Sequence, residues 1–172
     1  SETWIQSQSD ASIKDETLLD AREIRRRKRE ALLNPALKPA GICGSGIIEA
    51  LAELLNAGIL APNGRFAEIT HERLRLGLGD GGGKGEFILA FPHETASGRE
   101  IVVHSDDVRA IQLGKAALYA GSKLLMNRLG VTTVDRIVLA GGFGNYIDPK
   151  HAMMIGLIPD CALDRVYPVG NA

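Results

Sequence analysis

The chain has 172 residues, room for about one domain, and sets 20 Lys and Arg against 21 Asp and Glu. A formal charge of −1 excludes a whole-domain field that would draw in nucleic acid or an anionic membrane. With 45% hydrophobic residues the chain is not a disordered tail, and no run approaches the ~18 apolar residues of a spanning helix.

The polar start, Ser1 to Asp10, lacks the charged-then-apolar layout of a signal peptide. Two cysteines, Cys43 and Cys161, are too few for a disulfide framework, and too few for an iron–sulfur cluster or a four-thiolate zinc site within one chain. A reducing, cytoplasmic setting is the expectation.

Residues 1–38 read as a separate segment: polar, free of glycine, with Arg22, Arg25, Arg26, Arg27, Lys28 and Arg29 packed together. Leu18, Leu19, Ile24, Leu32 and Leu33 loosely follow helical spacing, which predicts a helix from about Asp15 to Leu33, ended by Asn34-Pro35. The basic run is diluted by Glu23 and Glu30 and has no interleaved aromatic, so a solvated helix face is expected over a nucleic-acid contact.

After the small-residue turn Pro39 to Gly46, Ile47, Ile48, Leu51, Leu54 and Leu55 recur at the spacing of a buried helix face. The helix is predicted over about Ser45 to Ala57, closed by Gly58. Asn63-Gly64 marks a turn, and the glycine-rich stretch Gly77 to Gly85 a loop. Glu86 to Phe91 and Glu100 to His104 read as the two strands of a hairpin.

Ser105 reads as the N-cap of a long helix to about Leu129, with Asp106 and Asp107 in its first turn. Its predicted buried stripe is Val108, Ile111, Leu118, Leu125 and Leu129. Beside it, Ala110, Gly114, Ala117 and Gly121 form a line of small residues suited to close packing or to clearance beside a ligand.

Asp135 to Ala140 reads as a buried strand of parallel type, and Arg165 to Val169 as a final strand. Between them Asp148-Pro149 opens a helix to about Ile155, with Asp148 as its cap rather than a catalytic acid. The order helix, strand, helix, strand points to an α/β domain.

Chemistry concentrates in Gly141-Gly142-Phe143-Gly144-Asn145. A strand that ends in glycines bares backbone N–H groups at the carboxyl edge of a sheet, where flat or anionic ligands of α/β folds bind. The stretch is not a Rossmann fingerprint, since Ile147 stands where the third glycine belongs. Gly79 to Gly85 imitates a phosphate loop, but Gly85 occupies the place of the magnesium-binding Ser or Thr, so a plain loop is expected.

The bland reading governs the remaining candidates. Cys43 has no paired base in the sequence and reads as a packed structural thiol; His71, His93, His104 and His151 share no metal-ligand spacing; Glu49 and Glu53 lie on the polar side of their helix.

Four stretches in order carry a resemblance: Gly41 to Ile48, Asp107 to Gly121, Leu139 to Pro149, and Ile155 to Asp160. Together they resemble the C-terminal region of the ferredoxin-containing reductive activators of corrinoid proteins, ATPases of the actin, sugar-kinase and heat-shock superfamily. The resemblance spans residues 39–172 and implies the C-terminal subdomain of an actin-like (ribonuclease H-like) ATPase domain, with helices packed on a mixed sheet.

It also implies coupling of ATP hydrolysis, with magnesium in the complete domain, to one-electron reduction of the cobalamin of a partner corrinoid protein. The electron would come from a [2Fe–2S] cluster in the parent protein. In the superfamily the strand–glycine turn contacts adenosine, a role the resemblance gives to Gly141, Gly142, Phe143, Gly144 and Asn145.

This chain lacks a cysteine-rich ferredoxin module and the Asp-x-Gly-Thr-like hairpins that hold phosphates and metal, so it reads as a piece of the ATPase domain. Bare apolar surface is then expected, covered by a sister subdomain or by self-association, and no appreciable ATPase activity from this chain alone. The rival readings are a partner-docking module of the same fold that binds no nucleotide and, more weakly, half of a kinase-type phosphotransferase.

Overall fold

The computed structural model describes residues 37–77 and 84–170; the arginine-rich helix expected near the start and the centre of the glycine loop lie outside them. Apolar residues at helical spacing form α1, Gly44–Asn56, which buries Ile48, Leu51, Ala52 and Leu54 along one face. Gly58, at φ +70°, closes it: the Gly58 and Ile59 N–H groups donate to the carbonyls of Leu55 and Leu54. Among the described residues, Gly130 and Gly156 end two further α-helices in the same way.

Strands β1 (Leu74–Leu76), β2 (Gly85–Ala90) and β3 (Ile101–His104) form an antiparallel sheet in that order. The predicted hairpin is thus joined by a third, edge strand, in a stretch for which the sequence raises no expectation. Three residues of alternating Leu and Arg are too short a signal to read alone. One face of the sheet packs Phe87 and Val103 against Leu51, Leu54 and Phe66 in the main core.

Its other face is held by charge. Arg73 makes a bidentate pair with Glu94 and lies over the Phe91 ring, while Arg75 bridges Glu86 and Glu100 across strands. The Arg73 guanidinium and the Phe91 N–H hold the Glu94 carboxyl down to about 2. Arg75 likewise holds Glu100 below the usual carboxylate range.

The long helix α2, Ser105–Arg128, follows β3. Its N-cap is His104, not Ser105: the His104 N–H donates to Asp107 Oδ2 at 2.9 Å. The Ser105 hydroxyl instead accepts from the Gly85 N–H and donates to the Gly85 carbonyl, pinning the start of the helix to β2. The predicted apolar stripe is buried only at its beginning. Val108 is 1% exposed and Ile111 packs on the core, whereas Leu118, Leu125 and Leu129 are 58%, 64% and 76% exposed. The small-residue line is open too, with no atom beyond the helix's own backbone within 4 Å of where a Cβ on Gly114 or Gly121 would stand.

Strands β4 (Ile137–Ala140) and β5 (Val166–Gly170) pair in parallel, and helix α3 (Pro149–Met154) lies between them in sequence. The parallel pairing is as expected, the burial is not: Val138 is 52% exposed, because two strands alone cannot cover both of their faces. Ile155, just past α3, packs on Ile48 and Ala52 of α1 and so ties this half to the first. No helix among the described residues is long and apolar enough to cross a membrane.

Candidate functional site

β4 delivers the chain to Gly141, whose φ of +98° is a conformation that side chains resist, and the next four residues, Gly142–Asn145, wind into a single 3-10 turn. Gly144 is buried beneath this turn. A Cβ there would stand 2.7 Å from the Leu139 carbonyl oxygen, so only glycine lets the chain fold back on its own strand.

The turn is fastened to the end of β5 from both sides. The Gly141 N–H donates to the Gly170 carbonyl, and the Gly170 N–H donates to Asn145 Oδ1 at 3.0 Å. Asn145 therefore works as a strut that fixes the shape of the turn. Asp148 caps α3 as expected, accepting from the Lys150 and His151 N–H groups at 2.8 and 3.3 Å.

Phe143 is 51% exposed, and the edge of its ring lies over Gly44 at the start of α1. The two glycine-rich stretches that sequence reading singled out, Gly41 to Gly46 and Gly141 to Asn145, thus meet in space. From the sequence, Gly44 is expected to serve a sharp turn and close packing; nothing in spacing signals that what packs on it lies 99 residues farther along the chain.

The other candidates lie apart from this turn or outside the described residues. Cys43 is exposed rather than packed, because it is the N-cap of α1 at the open end of the helix, with its sulfur 3.3 Å from the Ser45 hydroxyl. His71 and His93 sit against Phe87 and Phe91, and His104 Nδ1 is 3.1 Å from Glu86. His151 Nε2 is 2.8 Å from Glu53 Oε1, so Glu53 bridges α1 to α3 rather than being merely solvated. No His, Cys, Asp and Glu cluster that could hold a metal ion occurs among the described residues. Of the phosphate-loop imitation, residues 78–83 lie outside the described part, and Gly85 begins a strand, not a helix.

A cavity of about 220 Å³ opens between α1, α2 and α3, lined by Leu51, Leu60, Val108, Ile111 and the polar Gln112 and Lys115. It includes no residue of the glycine turn, and the Lys115 ammonium donates to the Ile155 carbonyl. Gly141 to Asn145 bring a fixed backbone turn, a half-exposed ring and no titratable side chain. That inventory suits binding a flat group rather than moving a proton.

Known proteins share the sequence pattern and the fold of this chain. A family model described as the C-terminal domain of RACo, the ASKHA domain, matches residues 7–172, and so takes in most of the arginine-rich segment. The corrinoid activation enzyme RamQ of Eubacterium limosum is 39% identical over 140 residues, 77% of this chain and 23% of that protein. A solved structure of a reductive activator for corrinoid, iron–sulfur protein matches with a TM-score of 0.66 at 36% identity, over 76% of this chain and 20% of the other. The chain therefore spans about a fifth to a quarter of the length of these relatives. The fold, the order of the motifs and these matches place it in one family: the chain belongs to the C-terminal, actin-like ASKHA domains of the corrinoid reductive activators.

Proposed function

We propose that this chain supplies the adenosine-contacting part of the nucleotide site in an ATP-dependent reductive activator of corrinoid proteins. The observation that carries the reading is the turn itself. Gly141 to Asn145 are clamped to β5, leave Phe143 half exposed, and stand at the carboxyl end of a parallel strand, where α/β folds bind nucleotides. On this reading Gly141, Gly142, Phe143 and Gly144 form the contact surface, and Asn145 holds its shape.

Nucleotide brings the phosphoanhydride chemistry, and magnesium would neutralise its phosphates in the complete domain. The described residues gather no carboxylates for that metal, so phosphate and metal contacts belong to the facing half of the cleft. Hydrolysis depends on positioning adenosine and γ-phosphate together, worth ~7–11 kcal/mol of barrier, and half a cleft cannot do that. A corrinoid protein is the partner this reading requires. The [2Fe–2S] cluster is assigned to the parent protein, since Cys43 and Cys161 are the only cysteines here.

Calorimetric titration with ADP and a non-hydrolysable ATP analogue tests the reading, with Gly142→Val as control. Binding that the valine abolishes is the expected result. A folded chain that binds neither ligand would overturn adenosine contact by this chain and favour the docking module, a reading supported by the bare apolar face of α2.

A further inference from the structure

A large aromatic side chain left half exposed forgoes part of the gain of burial, and Phe143 is 51% exposed although it sits in a rigid turn. Its position is nonetheless defined. A Cβ built on Gly44 would lie 2.7 Å from Phe143 Cε2 and 3.5 and 3.6 Å from Cζ and Cδ2. The ring therefore rests on α1 by one edge, and a side chain at residue 44 would displace it from that place. Contact at that edge limits where the ring can lie without covering its face.

Gly44 begins a 13-residue helix whose buried Ile48 and Ala52 are packed against Ile155, so the seat under the ring is itself anchored. On its other side the turn is held to β5 by the Gly170–Asn145 bond. Phe143 is thus caught between two rigid supports. A flat base gains most from a ring whose orientation is already set, because the ordering cost has been met before binding.

Resting on the adenosine-contact reading of the turn, we propose that the Phe143 ring is the platform on which the nucleotide base stacks. Gly44 is the positioning residue that sets the plane of that platform. The positioning role does not follow from the glycine turn alone, since Gly44 lies outside it.

The test titrates ADP into the full chain carrying Phe143→Leu, Gly44→Ala, both together, or Gly142→Val. Stacking of a base on an aromatic ring predicts a loss of about tenfold in affinity for Phe143→Leu. Gly44→Ala weakens binding several-fold by tilting the ring, and adds nothing further to Phe143→Leu, because only the ring transmits its effect. Thermal unfolding of the same set shows the pair directly: the Gly44→Ala penalty shrinks once Leu replaces the ring.

Phe143→Trp in a Trp4→Phe background supplies a signature that a structural role would not: ADP quenches its fluorescence. If Phe143→Leu and Gly44→Ala bind ADP as tightly as the parent while Gly142→Val does not, the platform is overturned and the adenosine reading stands. If the folded parent chain binds no ADP, that reading fails and the platform falls with it, whatever coupling the unfolding data show.

Discussion

The two sheets of this chain obey different rules. The antiparallel sheet has one face in the core, where Phe87 and Val103 are buried, while its other face carries the Arg73 and Arg75 ion pairs together with Ile88, which is buried too. The parallel pair has no such division: Val138, Tyr167 and Val169 are each more than 40% exposed. Antiparallel sheets tolerate one wet face, whereas parallel strands are normally covered on both. The first region is complete in itself; the second carries apolar surface that demands cover, and it is the second that holds the glycine turn.

The contrast breaks most sharply by truncation. Ile88→Ala, at a site 1% exposed, is expected to cost about 2–5 kcal/mol in denaturant unfolding, against less than about 0.5 kcal/mol for Val138→Ala on the open pair. Equal costs would mean that the faces of β4 are covered in solution.

Helix α2 repeats the contrast along a single element. Its first turns are locked into the core by Val108, while Leu118, Leu124, Leu125 and Leu129 stand in solvent farther on. Apolar area of this kind marks a contact surface. We expect the chain to self-associate at micromolar concentrations unless a partner covers the face. Replacing Leu124 and Leu125 together by Lys should shift sedimentation toward monomer while leaving the unfolding midpoint nearly unchanged. A parent chain that is already monomeric throughout would show that this face needs no cover.

The same contrast governs what could be read from sequence. Helix α1, the β2–β3 hairpin, the Asp148 cap and the parallel pairing of β4 with β5 were legible, because each is written in local periodicity or local turn chemistry. Burial was legible only where the partner lies nearby. The spacing of Leu118, Leu125 and Leu129 correctly marks an apolar stripe, but periodicity cannot say what covers it. The glycine turn announced itself through Gly141, Gly142 and Gly144, while its support did not: the Gly44 seat and the Asn145–Gly170 strut join residues far apart in the chain. Cys43 was misread because an N-cap lies at the open end of a helix, where a small apolar residue need not be packed.

The smallest effect sharpens the first region. Glu94 has its carboxyl held at about 2, against an ordinary 4.5, chiefly by the hydrogen bond from Arg73 and then by the Phe91 N–H. Its folded value is lowered, so the unfolded chain binds the proton more readily. The contribution is therefore complete above about 4.5 and is lost as pH falls toward 2. Comparing the chain with Glu94→Gln by chemical unfolding from pH 7 down to 3 isolates it. The two curves should converge as the pH drops, with the parent the more stable at neutral pH, by a small margin because both side chains of the pair are partly solvent-exposed. Curves that stay parallel would mean that Arg73 is held by the Leu89 carbonyl and the Phe91 ring instead, and that the charged face of the sheet is maintained by packing rather than by its ion pairs.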